Sequence, residues 1–163
     1  MKTIQIKIYQ FDELSDDAKE YAINQLSDIN VDCQWYDCVY DDIKELGYQI
    51  TEFDLYRQSI KAVRSSDNCN SIHGTIQQIN HDWGKQSDLY PLVTEYYRCK
   101  HHNRHNKTKL TFDEEDFLHE LQSTFLMILQ KEYEYLTSKE AIVDTIKSNE
   151  YEFTSDGKMR KTW

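Results

Sequence analysis

A run of apolar residues at helical spacing in the C-terminal third constrains this fold more than any other feature of the sequence. Between Phe117 and Leu136, apolar side chains recur at intervals of three and four residues, which is the period of one face of an α-helix. Thr111 and Glu114 have the spacing of a capping box ahead of this run. The pattern predicts the longest helix of the protein and the main support of its core.

A second helix is expected directly after the first. Thr137 and Glu140 repeat the capping-box spacing, and the apolar side chains that follow them again share one helical face. The closing segment EYEFTSDGKMRKTW then indicates a short strand and a turn at Asp156 and Gly157. The residues expected on the buried face of this helix are Ala141, Ile142, Thr145 and Ile146.

The N-terminal third shows the pattern of a strand, two helices and a second strand. TIQIKIYQF alternates with a period of two, as a half-buried strand does. Ser15 is a favourable N-cap for a first helix, Asp32 for a second, and Gly47 is placed as a C-terminal stop. Residues 48–56, YQITEFDLY, are again rich in strand formers, and we expect the two strands to pair. The expected apolar positions are Ile4, Ile6 and Ile8 in the strand, Ala18, Tyr21, Ala22, Leu26 and Ile29 in the first helix, and Trp35, Val39, Ile43 and Leu46 in the second.

These patterns together predict an α+β fold. It would consist of an N-terminal β-α-α-β unit, a middle segment, two C-terminal helices and a short strand or hairpin. The whole chain, residues 1–163, fits a single domain. Within residues 59–109 the signal is weak, because Gly74, Gly84 and Pro91 interrupt two stretches that could be short helices.

Charge is distributed unevenly along a chain whose formal net charge is -10. Thirteen Asp and Glu stand against two Lys between Asp12 and Asp54, and twelve against three between Asp113 and Asp156. Between Arg57 and Lys109, nine basic residues stand against four acidic ones. Such asymmetry bears on partners and electrostatic steering rather than on the fold.

Several functional classes are disfavoured by what the sequence lacks. The four Gly are too scattered for a phosphate-binding loop or a dinucleotide fingerprint. His119 and Glu120 begin like a zinc-protease motif, but Ser123 stands where the second His is needed. No apolar run approaches the length of a membrane span, and the N-terminus does not resemble a signal peptide. We therefore expect a non-enzymatic protein of the cytoplasm with reduced thiols and no membrane partner.

Acidic residues of the predicted second helix are interleaved with aromatic ones. Such a surface can occupy a basic nucleic-acid-binding groove of a partner protein, with Tyr and Trp as anchors and carboxylates for steering. The alternative is that Trp35 and its helical neighbours face the core while the acids keep the protein in solution. The expected partner-binding residues are Asp32, Trp35, Tyr36, Asp37, Tyr40, Asp41, Asp42 and Glu45.

The segment YYRCKHHNRHNKTK, residues 96–109, holds five Lys or Arg and three His but no carboxylate. We interpret it as an exposed, mobile loop without a cofactor. Two alternatives stay open, a zinc site whose spacing matches no known motif, and a contact with nucleic acid or a small anionic ligand such as a nucleotide. The metal candidates are Cys99, His101, His102 and His105, with Cys69 and His73 upstream. The candidates for a nucleic acid or an anionic ligand are Arg57, Arg64, Arg98, Lys100 and Arg104.

Three segments resemble a family of small proteins encoded by bacteriophages and prophages. FDELSDDAKEYAI, residues 11–23, is similar to the F-x-E-L-S-x-x-A-K start of that family, and QWYDCVYDDIKELGYQI is similar to its Trp-bearing helix. KEYEYLTSKEAIVDTIKSNEYEFTSDGK, residues 131–158, resembles its nearly fixed ending. The resemblance covers about the first 58 and the last 50 residues, and the chain departs from it within residues 59–109, a segment that varies among the relatives.

The resemblance implies a phage accessory protein that acts in the cytoplasm of the bacterial host. Relatives are labelled hypothetical or antitoxin, and no catalytic residues carry over from them. We therefore expect a protein that binds and inhibits or sequesters a host factor. Antitoxin-like binding of a partner protein is the alternative that the resemblance implies.

Overall fold

The computed structural model describes residues 7–65, 71–105 and 112–160 as a mixture of helices and short antiparallel strands, which confirms the α+β class. Contacts between residues divide the chain into two compact units. The first unit comprises residues 1–35 and 132–163, and the second comprises residues 36–131. The single domain stays a prediction. In chain order the elements are β1 (Tyr9–Gln10), α1 (Asp16–Gln25), α2 (Asp37–Glu45), β2 (Tyr48–Asp54), β3 (Ser59–Arg64), α3 (Ile72–Gln78), α4 (Tyr90–His105), α5 (Glu114–Leu136), α6 (Lys139–Ser148) and β4 (Glu152–Phe153).

The core of the first unit is built from α1, α6 and the two short strands. The Ser15 side chain accepts a hydrogen bond from the Ala18 N–H and starts α1, as predicted. Strand β1 pairs with β4 in antiparallel register, so that the rings of Phe11 and Phe153 meet edge to face at 6.1 Å. The buried residues of this core are Phe11, Leu14, Ala18, Ala22, Ile23, Ile142, Ile146 and Phe153.

For the described residues of the N-terminal strand, the expected pairing with residues 48–56 is wrong. Strand β1 pairs with β4, and β2 pairs with β3, a strand that the sequence did not indicate. A hairpin between β2 and β3 closes through the four residues that separate them, so the entropy lost on closure is small. Ile4 and Ile6 lie outside the described residues, and Ile8 precedes β1.

The start of α6 differs by one residue from the prediction. Ser138, rather than Thr137, is the N-cap, and its side chain accepts the Ala141 N–H at 3.2 Å. The Thr137 hydroxyl donates instead to the Tyr133 carbonyl at 2.8 Å, which completes the last turn of α5. Ala141, Ile142 and Ile146 are buried as expected.

The turn predicted at Asp156 and Gly157 is present after β4. The Gly157 N–H donates to the Thr154 carbonyl at 2.9 Å, and Gly157 has a φ of +81°. A β-carbon at this position would overlap the main chain of Ala18. Only Gly can adopt this positive φ and also approach the main chain of Ala18 so closely.

Helix α2 of the second unit begins later than predicted. Its N-cap is Tyr36, and the Asp32 N–H donates to the Asp28 carbonyl, so Asp32 does not cap the helix. Of the residues predicted on the apolar face, Val39 and Ile43 lie within α2, and both are buried, which confirms that face. Gly47 follows with a φ of +84°, and it ends the helix as expected.

The middle segment contains more regular structure than its sequence indicated. Helix α3 runs into a π-helical turn at Ile79–Trp83, where the Gly84 N–H reaches the Ile79 carbonyl. Helix α4 then includes residues 96–105, so the prediction of a mobile loop is wrong for them, while residues 106–109 lie outside the described part of the chain. Pro91 does not interrupt α4 because it lies in the first turn, where its missing N–H has no helical acceptor.

Helix α5 is the longest helix among the described residues, as predicted, and it begins in the second unit and ends in the first. Its N-cap is Asp113, whose carboxylate accepts the N–H groups of Glu115 and Asp116 at 3.0 Å each. Thr111, the expected cap, lies outside the described residues. In the described ranges, no helix has both the length and the apolar character that a membrane span requires. The fully buried residues of α5 are Phe117, Leu121, Phe125 and Leu129.

Candidate functional site

Three aromatic rings pack together beside the acidic residues of α2. The Tyr36 ring lies 4.9 Å from Tyr40 and 5.4 Å from Phe53 of β2, and Tyr40 lies 6.2 Å from Phe53. Burial raises the pKa of Tyr40, and the neighbouring Tyr36 and Asp37 raise it further. The cluster holds the first turn of α2 against the hairpin, which orients the carboxylates that follow.

The first of two grooves beside α2 lies toward the hairpin, and we call it the hairpin groove. Its volume is about 510 Å³, and it is lined by the carboxylates of Asp37 and Asp41 and by the ammonium group of Lys44. Residues of α2 form one side and residues of β2 the other. Its lining residues are Asp37, Tyr40, Asp41, Lys44, Gln49, Ile50 and Ser65.

The second groove, which we call the tryptophan groove, has a volume of about 390 Å³. Its floor consists of the buried side chains of Leu89 and Phe125. The Ser87 side chain accepts the Leu89 N–H at 3.1 Å, which orders the chain between the π-helical turn and α4. Its lining residues are Asp42, Trp83, Gln86, Ser87, Asp88, Leu89, Phe125 and Ile128.

The two carboxylates of the tryptophan groove differ in their electrostatic surroundings. Asp88 is paired with the Lys131 ammonium group at 2.7 Å. Asp42 makes no ion pair within the described ranges, and partial burial raises the pKa of its carboxyl group, with further increases from Glu45 and Asp41. The carboxylate of Asp42 is therefore the uncompensated charge of this groove.

The predicted partner-binding residues divide between the two units. Asp32 and Trp35 belong to the first unit, where the Trp35 ring packs against Tyr133 at 5.7 Å. The other predicted residues belong to the second unit and lie on or beside α2. They are Tyr36, Asp37, Tyr40, Asp41, Asp42 and Glu45.

Three of the four arginines proposed for a nucleic acid or an anionic ligand are paired with a carboxylate. Arg57 lies 3.6 Å from Asp54 in the hairpin turn, and Arg64 lies 2.7 Å from Glu114. The Nε and Nη2 atoms of Arg98 each donate to an oxygen of the Glu95 carboxylate, and these hydrogen bonds are the main reason that the pKa of Glu95 is lowered. An anion would have to displace these partners.

The metal candidates on α4 have different environments. The rings of His101 and His105 face each other one turn apart with centroids at 4.6 Å, and both side chains are exposed. Cys99 is buried, with its thiol 3.5 Å from a Glu95 oxygen, and burial raises the pKa of that thiol. His102 is half-buried, and Cys69 lies outside the described residues. Across the described ranges, no group of three His, Cys, Asp or Glu side chains is arranged to hold a metal ion.

Of the two other candidates on this helix, Lys100 lies near an aromatic cluster. The Lys100 ammonium group lies 5.6 Å from the centre of the Tyr96 ring, and the ring of His73 stacks on Tyr96 at 5.8 Å. The Nδ1 atom of His73 is buried, and it has no hydrogen-bond partner within the described structure. Arg104 is exposed on the last turn of α4.

Sequence reasoning missed the residues that complete the tryptophan groove. Trp83 ends a stretch that could be a short helix, and no sequence pattern indicates a role for Asp88. The stretch NHDW contains an aromatic residue beside polar ones, but the π-helical turn that directs Trp83 into the groove has no sequence signature.

Comparison of the chain with protein-family models, with curated proteins and with solved structures finds no match in any of the three. The geometry of the second unit is the basis for assigning a function. It defines a class rather than a particular protein: an acidic α+β protein with two grooves along one helix.

Proposed function

We propose that this chain is a phage-encoded accessory protein, without enzymatic activity, that binds a bacterial host factor and inhibits or sequesters it in the host cytoplasm. The contact surface would be the acidic, aromatic side of α2 between its two grooves. The phage origin rests on the resemblance of the N-terminal and C-terminal segments described above.

One observation carries the proposal. Carboxylates of α2 line grooves on both sides of the helix, with Asp37 and Asp41 in the hairpin groove and Asp42 in the tryptophan groove. A surface of this kind attracts a basic partner, and the aromatic walls provide area that is buried on contact. A basic nucleic-acid-binding region of a host protein has the required charge.

Charge reversal tests the proposal directly. A variant with Asp37→Lys, Asp41→Lys and Asp42→Lys should no longer capture the host protein that the wild-type chain captures from a bacterial lysate at moderate salt. The control variant carries Glu20→Lys, Asp28→Lys and Asp144→Lys, three exposed positions of the first unit with the same change in net charge. It should capture the same host protein as the wild type.

Both variants must keep the circular dichroism and the cooperative unfolding of the wild type. Equal capture by the wild type and by the α2 variant would refute the proposed surface. Equal loss in both variants would show that net charge, rather than the α2 surface, determines binding.

The basic end of α4 supports a second candidate function, direct contact with nucleic acid. Lys100 lies against the aromatic ring of Tyr96, and Arg104 follows it by four residues on the same helix, and nucleic-acid contacts use basic and aromatic side chains together. A salt-sensitive mobility shift with single-stranded DNA or RNA, weakened by Lys100→Gln with Arg104→Gln, would support it. The same variant should not affect capture of a host protein through α2.

A further inference from the structure

The tryptophan groove combines apolar walls with a carboxylate at its edge. Leu89 and Phe125 are almost fully buried and form the floor, while Trp83 and Ile128 remain half-exposed beside them. A volume of about 390 Å³ lies near the lower end of the range for small-ligand sites. The groove therefore suits one long side chain or a small ligand rather than a folded segment.

The π-helical turn accounts for the position of the indole. It inserts one residue into the helical path after α3, so that Ile79 is buried while Trp83 turns toward the groove. Gly84 follows with a φ of +68° and open space around it, which lets the chain turn away without covering the indole. Such turns have poorer backbone geometry than an α-helix and are frequent at functional sites.

The negative charge of the tryptophan groove favours binding of a cation. Lys131 already neutralises Asp88 at 2.7 Å, but no basic side chain within the described ranges pairs with Asp42. Asp41 and Glu45, which lie nearby on α2, are also acidic and raise the pKa of Asp42. A positive group that enters the groove would therefore form an ion pair with Asp42 and would also offset the repulsion between Asp42 and its acidic neighbours.

An arginine side chain matches these features better than other cations do. A guanidinium group stacks on an indole and pairs with a carboxylate through two parallel hydrogen bonds. Its methylene groups would lie along the apolar floor. A lysine has the same charge but lacks the planar stacking surface and the paired donors.

We infer that the tryptophan groove is a recognition site for an arginine side chain of a partner protein, with its guanidinium group stacked on Trp83 and paired with Asp42. This inference rests on the proposed function, since it specifies which group of a basic partner the α2 surface accepts. Asp88 and Lys131 stay paired with each other and border the site.

Short peptides test the inference on the full-length chain. Acetyl-Gly-Arg-Gly-amide is titrated to millimolar concentrations, and the indole N–H signals are followed by two-dimensional NMR, with Trp83→Phe used to assign the signal of Trp83. The arginine peptide should give saturable shifts at Trp83 and none at Trp35, which lies in the first unit. The citrulline peptide, which has the same shape without the charge, should produce no saturable shift, and the lysine peptide should bind more weakly.

Two neighbouring aspartates provide matched variants. Asp42→Asn should weaken binding of the arginine peptide by about tenfold, the loss expected for one charge-assisted pair. Asp41→Asn removes the same charge from the adjacent residue, which lines the hairpin groove, and should change the affinity by less than about twofold because only screened long-range attraction is lost. Equal binding of the citrulline peptide, or equal losses in the two variants, would overturn the inference.

The peptide titration also separates this inference from the proposed function. If the arginine peptide fails to bind while charge reversal on α2 still abolishes capture of a host protein, the inference is wrong and the proposed function stands. If the peptide binds with the expected dependence on Asp42 while capture is unaffected by the charge reversal, the groove is correctly assigned and the proposed function is wrong.

Discussion

Asp42 of α2 and Trp83 of the π-helical turn line the same groove, although they belong to elements separated by a hairpin and a further helix. The two side chains provide a negative charge and an aromatic surface at one place. Because Asp42 has no ion-pair partner in the described part of the chain, its charge lowers the stability of the free protein and would favour a cationic partner.

Replacing Asp42 by Asn should stabilise the free protein while it weakens binding. The raised pKa of Asp42 means that its charged form is disfavoured in the folded state. The charged carboxylate therefore lowers the free energy of unfolding at pH values above the folded-state pKa. This effect is absent at pH values below the ordinary pKa of 3.8. Part of this effect is the repulsion from Glu45, three residues further along α2, and its loss should contribute about 0.2–0.5 kcal/mol to the difference at pH 7.

Thermal unfolding of the wild type and of Asp42→Asn measures this difference. The variant should have the higher midpoint at pH 7, and the difference should vanish as the pH falls below 3.8. Asp88 and Lys131, which border the same groove, are unchanged in both proteins. A variant that is less stable than the wild type at pH 7 would show that Asp42 has a stabilising partner.

Asp156 should have the opposite dependence on pH. Hydrogen bonds from Lys158 and Thr154 lower the pKa of Asp156 from 3.8 to about 2. Its contribution to stability is therefore present above pH 3.8 and is lost as the pH falls through about 2. Asp156→Asn should destabilise the protein at pH 5 but not at pH 2, as measured by urea unfolding, and carbon-detected NMR should give the low pKa directly.

Gly157→Ala should be strongly destabilising. The substitution forces a β-carbon into the main chain of Ala18 and places Ala in the left-handed region. Overpacking of this kind costs about 1–3 kcal/mol in addition to the backbone strain. Gly84→Ala is the control, because Gly84 also has a positive φ but has open space around it, so only a backbone strain of about 1–3 kcal/mol remains, without the clash. Chemical unfolding of the two variants should rank Gly157→Ala as the less stable.

Ser138→Ala should destabilise the protein more than Thr137→Ala does. Ser138 caps α6 through the Ala141 N–H, and loss of an N-cap costs about 1 kcal/mol. Thr137 donates to a carbonyl at the end of α5, a group that water can satisfy when the hydroxyl is removed. The reverse order of unfolding midpoints would support Thr137 as the cap that its sequence spacing indicated.

Cys99 should react more slowly with thiol reagents than Cys33 and Cys38. It is buried, and burial together with the neighbouring Glu95 raises the pKa of its thiol, which reduces the fraction of reactive thiolate. Cys33 and Cys38 are exposed. Peptide mapping after brief alkylation of the native chain measures the order in which the three thiols react. Labelling in denaturant should abolish the difference in their rates.

Elements whose signal is local could be predicted from the amino-acid sequence. Ser15 starts α1 by bonding to a backbone group three residues away, and Gly47 ends α2 through its own backbone conformation. The apolar spacing of α5 correctly indicates a helix with Phe117, Leu121 and Phe125 buried. Each of these interactions joins residues within a turn or two of the chain, so their spacing in the sequence is sufficient to predict them.

Strand pairing, the limits of α2 and α6, and the composition of the tryptophan groove depend on tertiary packing. Pairing of β1 with β4 depends on which distant segments can bury Phe11 and Phe153 together. The groove brings Asp42 and Trp83 together through packing and through a π-helical turn that has no sequence pattern. Contacts of this kind compete with many alternatives of similar local energy, and only the packing of the whole unit selects among them.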